Sequence, residues 1–223
     1  MIRRICQYRR SVQRIIFEYF HKLITIAPCY VVIDRLTSSS IVIDIGTGVD
    51  ADFSQALIAR FGLSSYGFDP TKKHLPFLEN IVKDSDGKFH FFPYAVSNYS
   101  GTKTFFESQQ NVSGSFYSDH VNVKKDTIQT YDVRTATMDE IIDLLDGKQI
   151  DLVKMDTEGE EYAIISSLSD RVFSSVNQFV IEFHYHCVDH FSFSQTQVCI
   201  DLFHQHGFKS YTKDQINYLF FQP

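Results

Sequence analysis

The stretch from Ile41 to Phe53, IVIDIGTGVDADF, constrains the fold more than any other part of the sequence. It begins with the largely apolar run Ile41–Ile45, which is the pattern of a parallel strand buried on both faces. Gly46 and Gly48 follow at once, and they allow the backbone to approach a ligand closely. A helical pattern then begins, and the free N–H groups of its first turn can bind a ligand. The stretch therefore predicts a nucleotide-type ligand held at the end of a parallel strand.

The rest of the chain alternates between strand and helix patterns. Strand patterns occur at residues 41–45, 65–68, 88–92, 151–155 and 176–183, with a closing pair at 208–211 and 218–221. Helical patterns occur at residues 53–61, 72–82, 160–168 and 191–206. The alternation predicts an open α/β sheet with helices on both faces. Ligands of such sheets bind at the carboxyl ends of the strands, so we expect the functional residues to follow strands directly.

The composition is that of a single globular domain, because 43% of the 223 residues are hydrophobic and 22% are charged. The net charge of −6 argues against general affinity for nucleic acid. No run of about 18 apolar residues occurs, so we expect no membrane-spanning helix. The four cysteines, Cys6, Cys29, Cys187 and Cys199, lack C-x-x-C spacing. This favours reduced thiols in a cytoplasmic protein over a zinc or redox site.

Residues 1–30 differ from the rest because they are strongly basic and their apolar residues recur at roughly helical spacing. The cationic residues are Arg3, Arg4, Arg9, Arg10, Arg14 and Lys22, against the single acid Glu18. The pattern predicts an N-terminal basic amphipathic helix over residues 1–30, followed by the main domain over residues 31–223. Charged residues interrupt every candidate apolar core, which disfavours a secretory signal. The helix either lies across the domain or makes a peripheral contact with the anionic inner face of a membrane.

Acidic residues in the first loop discriminate between possible ligands better than its glycines do. Ala51 stands where the dinucleotide pattern G-x-G-x-x-G has its third glycine, and this variation is tolerated. Asp44 at the strand end, and Asp50 and Asp52 in the following turn, would repel a pyrophosphate. They suit a ligand whose tail carries an ammonium and a sulfonium. Alternatively, Asp50 and Asp52 cap the helix that follows.

A second acid ends the next strand, in the segment YGFDPT. A carboxylate at this place, Asp69, can accept two hydrogen bonds from ribose hydroxyls, which a neutral side chain does less well. NAD-binding folds and S-adenosylmethionine-binding folds share this feature. The alternative is an ordinary turn formed by Asp69 and Pro70.

Two further groups of polar residues follow the later strands. In LVKMDTEGEEYAII, Asp156 leaves a buried strand, Glu158 follows, and Gly159 opens a helix. In VIEFHYH, Glu182 and His184 alternate and therefore lie on one face of their strand. Because the carboxyl ends of neighbouring parallel strands meet at one edge, these acids indicate a pocket that favours cations.

Six stretches carry a resemblance to a known family. They are IDIGTGVDADFS, YGFDPTKK, FFPYAVSNYSGTKTFF, VRTATMDEII, LVKMDTEGEEYAII and IEFH, and together they cover about residues 40–184. The most specific run contains Lys154, Asp156, Glu158, Gly159 and Glu161. In these stretches the chain resembles FkbM-type methyltransferases, a branch of the class I S-adenosylmethionine-dependent methyltransferases.

The resemblance implies a Rossmann-like α/β sheet of seven mostly parallel strands, with S-adenosylmethionine as the cofactor. It implies a cofactor site formed by Asp44, Gly46, Thr47, Gly48, Asp69, Pro70, Ala95 and Asp156. The implied reaction is methylation of a hydroxyl oxygen on a sugar, a glycan or another small-molecule acceptor. Many members have Asn and Gly in the first loop where this chain has TGVDAD, so we expect the loop to hold the methionine end of the cofactor differently.

Methyl transfer requires an aligned nucleophile and a group that removes the acceptor's proton. The predicted catalytic residues are Asp156, Glu182 and His184, with Glu158 as a further candidate. We expect Asp156 to stabilise the positive charge of the cofactor and His184 to act as the base, because an ordinary histidine pKa of about 6.5 suits proton removal near neutrality. Alternatively, His184 is an ordinary, partly buried histidine. We assign no metal ligands, although Asp156 and Glu182 form an alternative site for a divalent cation that binds two acceptor oxygens.

The segment from Ala95 to Thr137 is too long for a simple connection. Two strand patterns, GTKTFF and TYDVRT, flank a polar piece, and we expect this insertion to lie over the cofactor and to shape the acceptor pocket. Ser113 and Ser115 either contact the adenosine end or form a turn about Gly114. Two other classes of function stay open: an NAD-dependent oxidoreductase, and a scaffold that kept the fold without the chemistry.

Overall fold

A computed structural model describes residues 18–19, 22–26, 28–112 and 114–223. The central sheet has seven strands in the order β12-β13-β11-β10-β3-β4-β5. In chain order these are β3 (Ile41–Ile45), β4 (Ser64–Phe68), β5 (Phe89–Phe92), β10 (Leu152–Met155), β11 (Gln178–Glu182), β12 (Lys209–Thr212) and β13 (Asn217–Phe221). The five strands from β5 to β11 pair in parallel, and β13 is antiparallel to both of its neighbours. The predicted mostly parallel seven-stranded α/β sheet is confirmed.

Helices pack on both faces of this sheet because its strands are apolar on both faces. They are α1 (Asp52–Phe61), α2 (Leu75–Asp84), α3 (Met138–Leu144), α4 (Glu161–Ser166), α5 (Asp170–Ser175) and α6 (Phe193–Gln205). On one face Ile43 and Ile45 of β3 pack in a cluster with residues of α3 to α6. On the other face Val42 packs with Phe53 and Leu57 of α1. The alternation along β3 thus divides the core into two layers.

A smaller sheet lies in the segment predicted as an insertion. It contains β6 (Ala95–Val96), β7 (Gly101–Ser108), β8 (Gly114–Ser115) and β9 (Ile128–Ala136), in the order β6-β9-β7-β8. The long pair β7 and β9 is antiparallel and joins Gly101 to Thr135 and Ser108 to Ile128. The two strand patterns expected around the polar piece are therefore part of one four-stranded sheet.

The predicted N-terminal helix is wrong over residues 23–26, where the chain forms a strand. Strand β1 (Leu23–Ile26) pairs antiparallel with β2 (Cys29–Val32) in a two-stranded hairpin. The run of β-branched residues in LITI and YVV favours extended structure over the helical spacing of its apolar positions. Most of the helix predicted over residues 1–30, with its proposed membrane contact, lies outside the described residues.

The hairpin packs against the central sheet, on the same face as α1. Val31 and Val32 join the buried cluster that contains Leu219 and Phe221 of β13. The boundary expected between residues 30 and 31 falls inside β2. Among the described residues, no helix combines the length and the apolar character that crossing a membrane requires. The described cysteines, Cys29, Cys187 and Cys199, are free.

One buried side chain, Gln178, fastens the hairpin to the sheet. Its Oε1 accepts a hydrogen bond from the Val32 N–H at 3.1 Å, and its Nε2 donates to the Val32 carbonyl, also at 3.1 Å. Gln178 is 4% exposed, so both backbone groups of Val32 depend on this amide instead of on water.

We expect Gln178→Met to lower the free energy of unfolding by about 2–4 kcal/mol, because two buried backbone groups lose their partner. Urea denaturation followed by circular dichroism measures the change. Gln149→Met is the matched control, since Gln149 is exposed and its amide donates to Asn177; the control should stay within about 0.5 kcal/mol of the parent. Equal losses in the two variants would contradict the role given to Gln178.

Candidate active site

The loop after β3 is built around a close contact between two backbones. Gly46 has a φ of +75°, and a Cβ at this position would lie 1.7 Å from the carbonyl oxygen of Asp156. The Gly46 N–H donates to the Phe68 carbonyl at 2.9 Å, and the Asp156 N–H donates to the Ile45 carbonyl at 2.9 Å. Only glycine fits here, because any side chain would collide with the backbone that leaves β10.

A buried lysine stabilises the contact between the Gly46 loop and the backbone of Asp156. The ammonium of Lys154 donates to the Gly46 carbonyl at 2.8 Å and lies 3.4 Å from Asp44 Oδ1 and 3.5 Å from Asp156 Oδ2. Burial by itself lowers the pKa of Lys154, but the charges of Asp44 and Asp156 outweigh it and raise the pKa above its ordinary value. The role of this lysine was not predicted, although it belongs to the run LVKMDTEG.

Asp44 was predicted to bind the cofactor, and the structure places it beneath the cavity instead of in its wall. Its side chain is fully buried, and Oδ2 accepts a hydrogen bond from the Ser54 hydroxyl at 2.6 Å. Thr47 is also buried, and its hydroxyl donates to the Asp44 carbonyl at 2.9 Å. Both residues therefore support the loop from inside, while the remaining predicted cofactor residues lie at the surface of the cavity.

Asp69 ends β4 and organises the neighbouring loops. Its Oδ2 accepts from the Gly48 N–H at 2.9 Å and lies 3.2 Å from His74 Nδ1, and its Oδ1 accepts from the Thr71 N–H at 2.8 Å. Burial alone raises the pKa of Asp69, but His74 and Thr71 together lower it below its ordinary value. A carboxylate has about four acceptor positions, and Gly48, His74 and the backbone and side chain of Thr71 use them. A ligand hydroxyl must therefore replace one of these donors. The contact with His74 was missed, since the sequence pattern suggested no partner for that histidine.

A cavity of about 340 Å³ opens between the glycine loop and the smaller sheet. Six of the predicted cofactor residues line it: Gly46, Gly48, Asp69, Pro70, Ala95 and Asp156. The other lining residues are Ile45, Val49, Asp50, Phe68, Thr71, His74, Val96, Phe105, Val112, Gly114, Phe116, Thr157, Glu158 and Glu160. The acids Asp50, Asp69, Asp156, Glu158 and Glu160 lie in this wall, and no lysine or arginine is among its described residues. Lys103 neutralises Glu160, since its ammonium lies 2.7 Å from that carboxylate. The other four acids still make the wall favour a cationic ligand over an anionic one.

The insertion contributes part of this wall, and its expected position over the cofactor stays a prediction. Phe105, Val112 and Phe116 form an apolar part of the lining. The Ser115 hydroxyl is buried and donates to the Glu158 carbonyl at 2.7 Å. This bond joins the smaller sheet to the loop that follows β10. Ser113 lies outside the described residues.

His184 lies beside the cavity, beyond Asp156, and is 3% exposed. Its Nδ1 lies 3.3 Å from Glu161 Oε1, which also accepts the His184 backbone N–H at 2.7 Å. Burial alone lowers the pKa of His184, but the carboxylates around it, Glu161 above all, raise the pKa well above its ordinary value. A protonated imidazole has no free lone pair with which to accept a proton. For His184 to act as the predicted base, it must therefore first lose its own extra proton. Glu161 was quoted in the sequence motif, but its contact with His184 was not predicted.

Glu182 is the last residue of β11, and its side chain is 24% exposed. Its Oε1 lies 3.9 Å from His184 Nε2. Burial, followed by the charge of Asp156, raises the pKa of Glu182 to about 7. The three residues predicted as catalytic, Asp156, Glu182 and His184, are thus brought together at the carboxyl edge of the sheet. Their catalytic roles stay predictions.

The close contact at Gly46 predicts that the two loop glycines differ in how much stability is lost when each is replaced by alanine. Gly46 and Gly48 both have positive φ values, +75° and +73°, but a Cβ at Gly48 would meet nothing within 4 Å. We expect Gly48→Ala to cost about 1–2 kcal/mol of stability through backbone strain. Gly46→Ala should cost about 1–3 kcal/mol more, because the backbones must also move apart. Urea denaturation of both variants measures this difference, and equal costs would contradict the contact.

Comparison with known proteins places this site in a family. A model of the Methyltransferase FkbM domain matches residues 44–210. No curated protein matches the chain. Among solved structures, the precorrin-6y C5,15-methyltransferase from Geobacter metallireducens is similar, with 12% identity, 85% of this chain and 83% of that chain covered, and a TM-score of 0.45.

Two further structures are similar at the same level. The fibrillarin pre-rRNA processing protein of Methanococcus jannaschii has 9% identity, coverage of 83% of this chain and 67% of that chain, and a TM-score of 0.49. An rRNA methylase from Streptococcus thermophilus has 14% identity, coverage of 83% and 86%, and a TM-score of 0.45. Likeness at this level carries no information about the acceptor. The family model spans most of the chain, from the aspartate of β3 to the second residue of β12, and the chain therefore belongs to the FkbM methyltransferase domain family.

Proposed function

We propose that the protein transfers a methyl group from S-adenosylmethionine to a hydroxyl oxygen of a sugar, a glycan or another small-molecule acceptor. One observation carries the choice of cofactor: five carboxylates lie in the cavity wall, and the described lining has no lysine or arginine. A dinucleotide would bring a pyrophosphate into this negative potential, whereas S-adenosylmethionine brings an ammonium and a sulfonium. Membership in a methyltransferase family supports the same choice.

The residues of the cavity fit this cofactor. Gly48 leaves space for a ligand to approach the backbone, since a Cβ there would meet nothing within 4 Å. Asp69 lies in the wall and can accept a ribose hydroxyl in place of one of its present donors. The apolar part of the wall, with Phe105 and Phe116, suits the flat adenine ring. When bound, S-adenosylmethionine supplies a methyl carbon that is already activated by its sulfonium.

The protein's own contribution to the reaction is orientation and proton removal. Asp156 lies in the cavity wall, where its carboxylate can stabilise the positive charge of the cofactor. Glu182 and His184 lie on the far side of Asp156, and we assign them to the acceptor side. There they would position the acceptor hydroxyl and accept its proton. The acid-lined wall and the net charge of −6 favour a neutral acceptor over a nucleic acid. We also propose that the reaction takes place in the cytoplasm.

Removing the charge of Asp156 tests the cofactor assignment. We expect Asp156→Asn to weaken S-adenosylmethionine binding about tenfold more than it weakens S-adenosylhomocysteine binding, because only the former carries the sulfonium charge. Isothermal titration calorimetry with both ligands measures this ratio. Asp52→Asn is the matched control, since it removes an exposed acid at the start of α1 that does not line the cavity.

Two outcomes would contradict the proposed cofactor. One is binding of NADH without binding of S-adenosylhomocysteine, and the other is an equal effect of Asp156→Asn on both sulfur ligands. Incubation with S-adenosylmethionine and a panel of monosaccharides, oligosaccharides and RNA then tests the acceptor class through formation of S-adenosylhomocysteine. Tight cofactor binding without turnover on any acceptor would favour the scaffold.

A further inference from the structure

The Nε2 atom of His184 faces a gap between carboxylates. It lies 3.5 Å from Glu158 Oε2 and 3.6 Å from Asp156 Oδ1. These distances exceed the roughly 2.7–2.9 Å of a charge-assisted hydrogen bond. They match the separation of about 3.4 Å between ligand atoms that surround a metal ion tetrahedrally with bonds near 2.1 Å. Both distances from Nε2 are therefore long for direct hydrogen bonds and suit two ligands of one ion.

We propose that Asp156, Glu158 and His184 form a binding site for a divalent cation. One ring nitrogen and two carboxylate oxygens converge here, all within 4.8 Å of one another. A mixed set of imidazole and carboxylate ligands suits Mn²⁺, Fe²⁺ or Zn²⁺ better than Mg²⁺ or Ca²⁺. From the sequence, no metal ligands are assigned and Asp156 with Glu182 is the alternative pair. In the structure Glu182 lies 3.9 Å from His184 Nε2, farther than Asp156 and Glu158, and it is not part of the group of converging ligand atoms.

The orientation of His184 is an independent observation in favour of this site. Metal-bound histidines usually donate their other ring N–H to a carboxylate, which fixes the ring and leaves the second nitrogen for the metal. Glu161 occupies this place, 3.3 Å from His184 Nδ1, and is fully buried. Its Oε1 also accepts the His184 backbone N–H, and its Oε2 accepts the Gly159 N–H and the Thr157 hydroxyl, both at 3.0 Å. A carboxylate held by this many donors directs Nε2 into the gap.

The two acidic ligands are fixed as well. Asp156 directs Oδ2 towards Lys154 at 3.5 Å and Oδ1 towards His184. The Glu158 backbone has a φ of +53°, its carbonyl accepts from Ser115, and its Oε2 lies 2.8 Å from His120 Nε2. Both side chains therefore reach the gap from a backbone that is constrained elsewhere, as preorganised ligands do.

The charges at this edge also call for a cation. The cluster around His184 contains the carboxylates of Asp156, Glu158, Glu161 and Glu182. Lys154, which is shared with Asp44, and the imidazolium of His184 offset part of this charge. An ion bound to Nε2 would displace the proton there and take over its share of the compensation. Partly buried carboxylates that repel one another need a positive partner. A divalent ion at the gap would supply two positive charges at the place where the carboxylates converge.

The site opens to the cavity, since Asp156 and Glu158 both line it. A catalytic metal site with three protein ligands keeps a position open for substrate or water. If the proposed function holds, that position faces the acceptor and suits one with two neighbouring oxygen atoms, such as a vicinal diol. The binding of the ion itself does not depend on the proposed reaction.

Titration of the metal-free full-length protein with MnCl₂, followed by electron paramagnetic resonance of the free ion, tests this site. Mn²⁺ avoids the free thiols, which a softer ion would also bind. We expect saturable binding of one ion per chain, weakened about 10–100-fold in Glu158→Gln and in Glu161→Gln, the latter through the orientation of His184. Asp50→Asn is the matched control, because it removes an acid of the same cavity wall outside the cluster, and it should bind Mn²⁺ like the parent.

Thermal unfolding of each variant without metal verifies that it is folded. Absence of saturable binding in the parent protein would overturn the site, and so would equal affinity in the parent, Glu158→Gln and Glu161→Gln. Calorimetry with S-adenosylhomocysteine on the same metal-free protein separates this result from the proposed function. Bound S-adenosylhomocysteine without Mn²⁺ binding rejects the metal site alone, and Mn²⁺ binding without S-adenosylhomocysteine binding rejects the proposed cofactor alone.

Discussion

The ammonium of Lys154 is the interaction on which the ligand-binding edge depends. It connects a strand end, a glycine loop and the start of the next loop through Asp44, the Gly46 carbonyl and Asp156. Removing one partner of a buried ion pair leaves an uncompensated charge, which costs about 3–5 kcal/mol. The three charged residues therefore act as a unit, and the backbone contact between Gly46 and Asp156 is held in register by that unit. The shape of the cavity follows from this junction, because Asp156 belongs both to the junction and to the wall.

The same arrangement separates acids that stabilise the protein from acids that face a ligand. Asp44 is fully buried and has Lys154 and Ser54 as partners, so its charge is used inside the fold. Asp69 uses most of its acceptor positions on backbone N–H groups and His74. Asp156 and Glu158 are partly exposed and keep oxygen atoms directed towards the cavity or His184. Acidic residues that look alike in the sequence therefore differ in how much of their negative charge is already compensated by partners within the protein, and hence in how strongly they can attract a ligand.

The fold was largely predictable because its strong patterns are local. The apolar run of β3, the loop glycines and the helical pattern of α1 are each set by a few neighbouring residues, and the structure contains all three. The hairpin at residues 23–32 was not predictable in this way, since its apolar spacing fits a helix and its anchor, Gln178, is 146 residues away from Val32. The candidate site follows the same division. The strand patterns predicted that Asp69 and Asp156 lie at one edge of the sheet. The pairing of His184 with Glu161 depends instead on how α4 packs against the end of β11, and no local sequence pattern predicts that packing.

The position of β13 has a consequence for how the chain folds during synthesis. β13 is inserted between β11 and β12, and the buried side chains of Leu219 and Phe221 complete the layer under the hairpin. While residues 217–221 are still within the ribosome, β11 has an open edge and the hairpin lacks part of its support. The strands that carry the glycine loop and Lys154 are made earlier, and all of their sheet neighbours precede β13 in the chain. A nascent chain of this protein can therefore assemble the strands of its ligand-binding edge while the side of β11 that will pair with β13 is still open, and partly folded chains with unpaired strand edges are prone to aggregate.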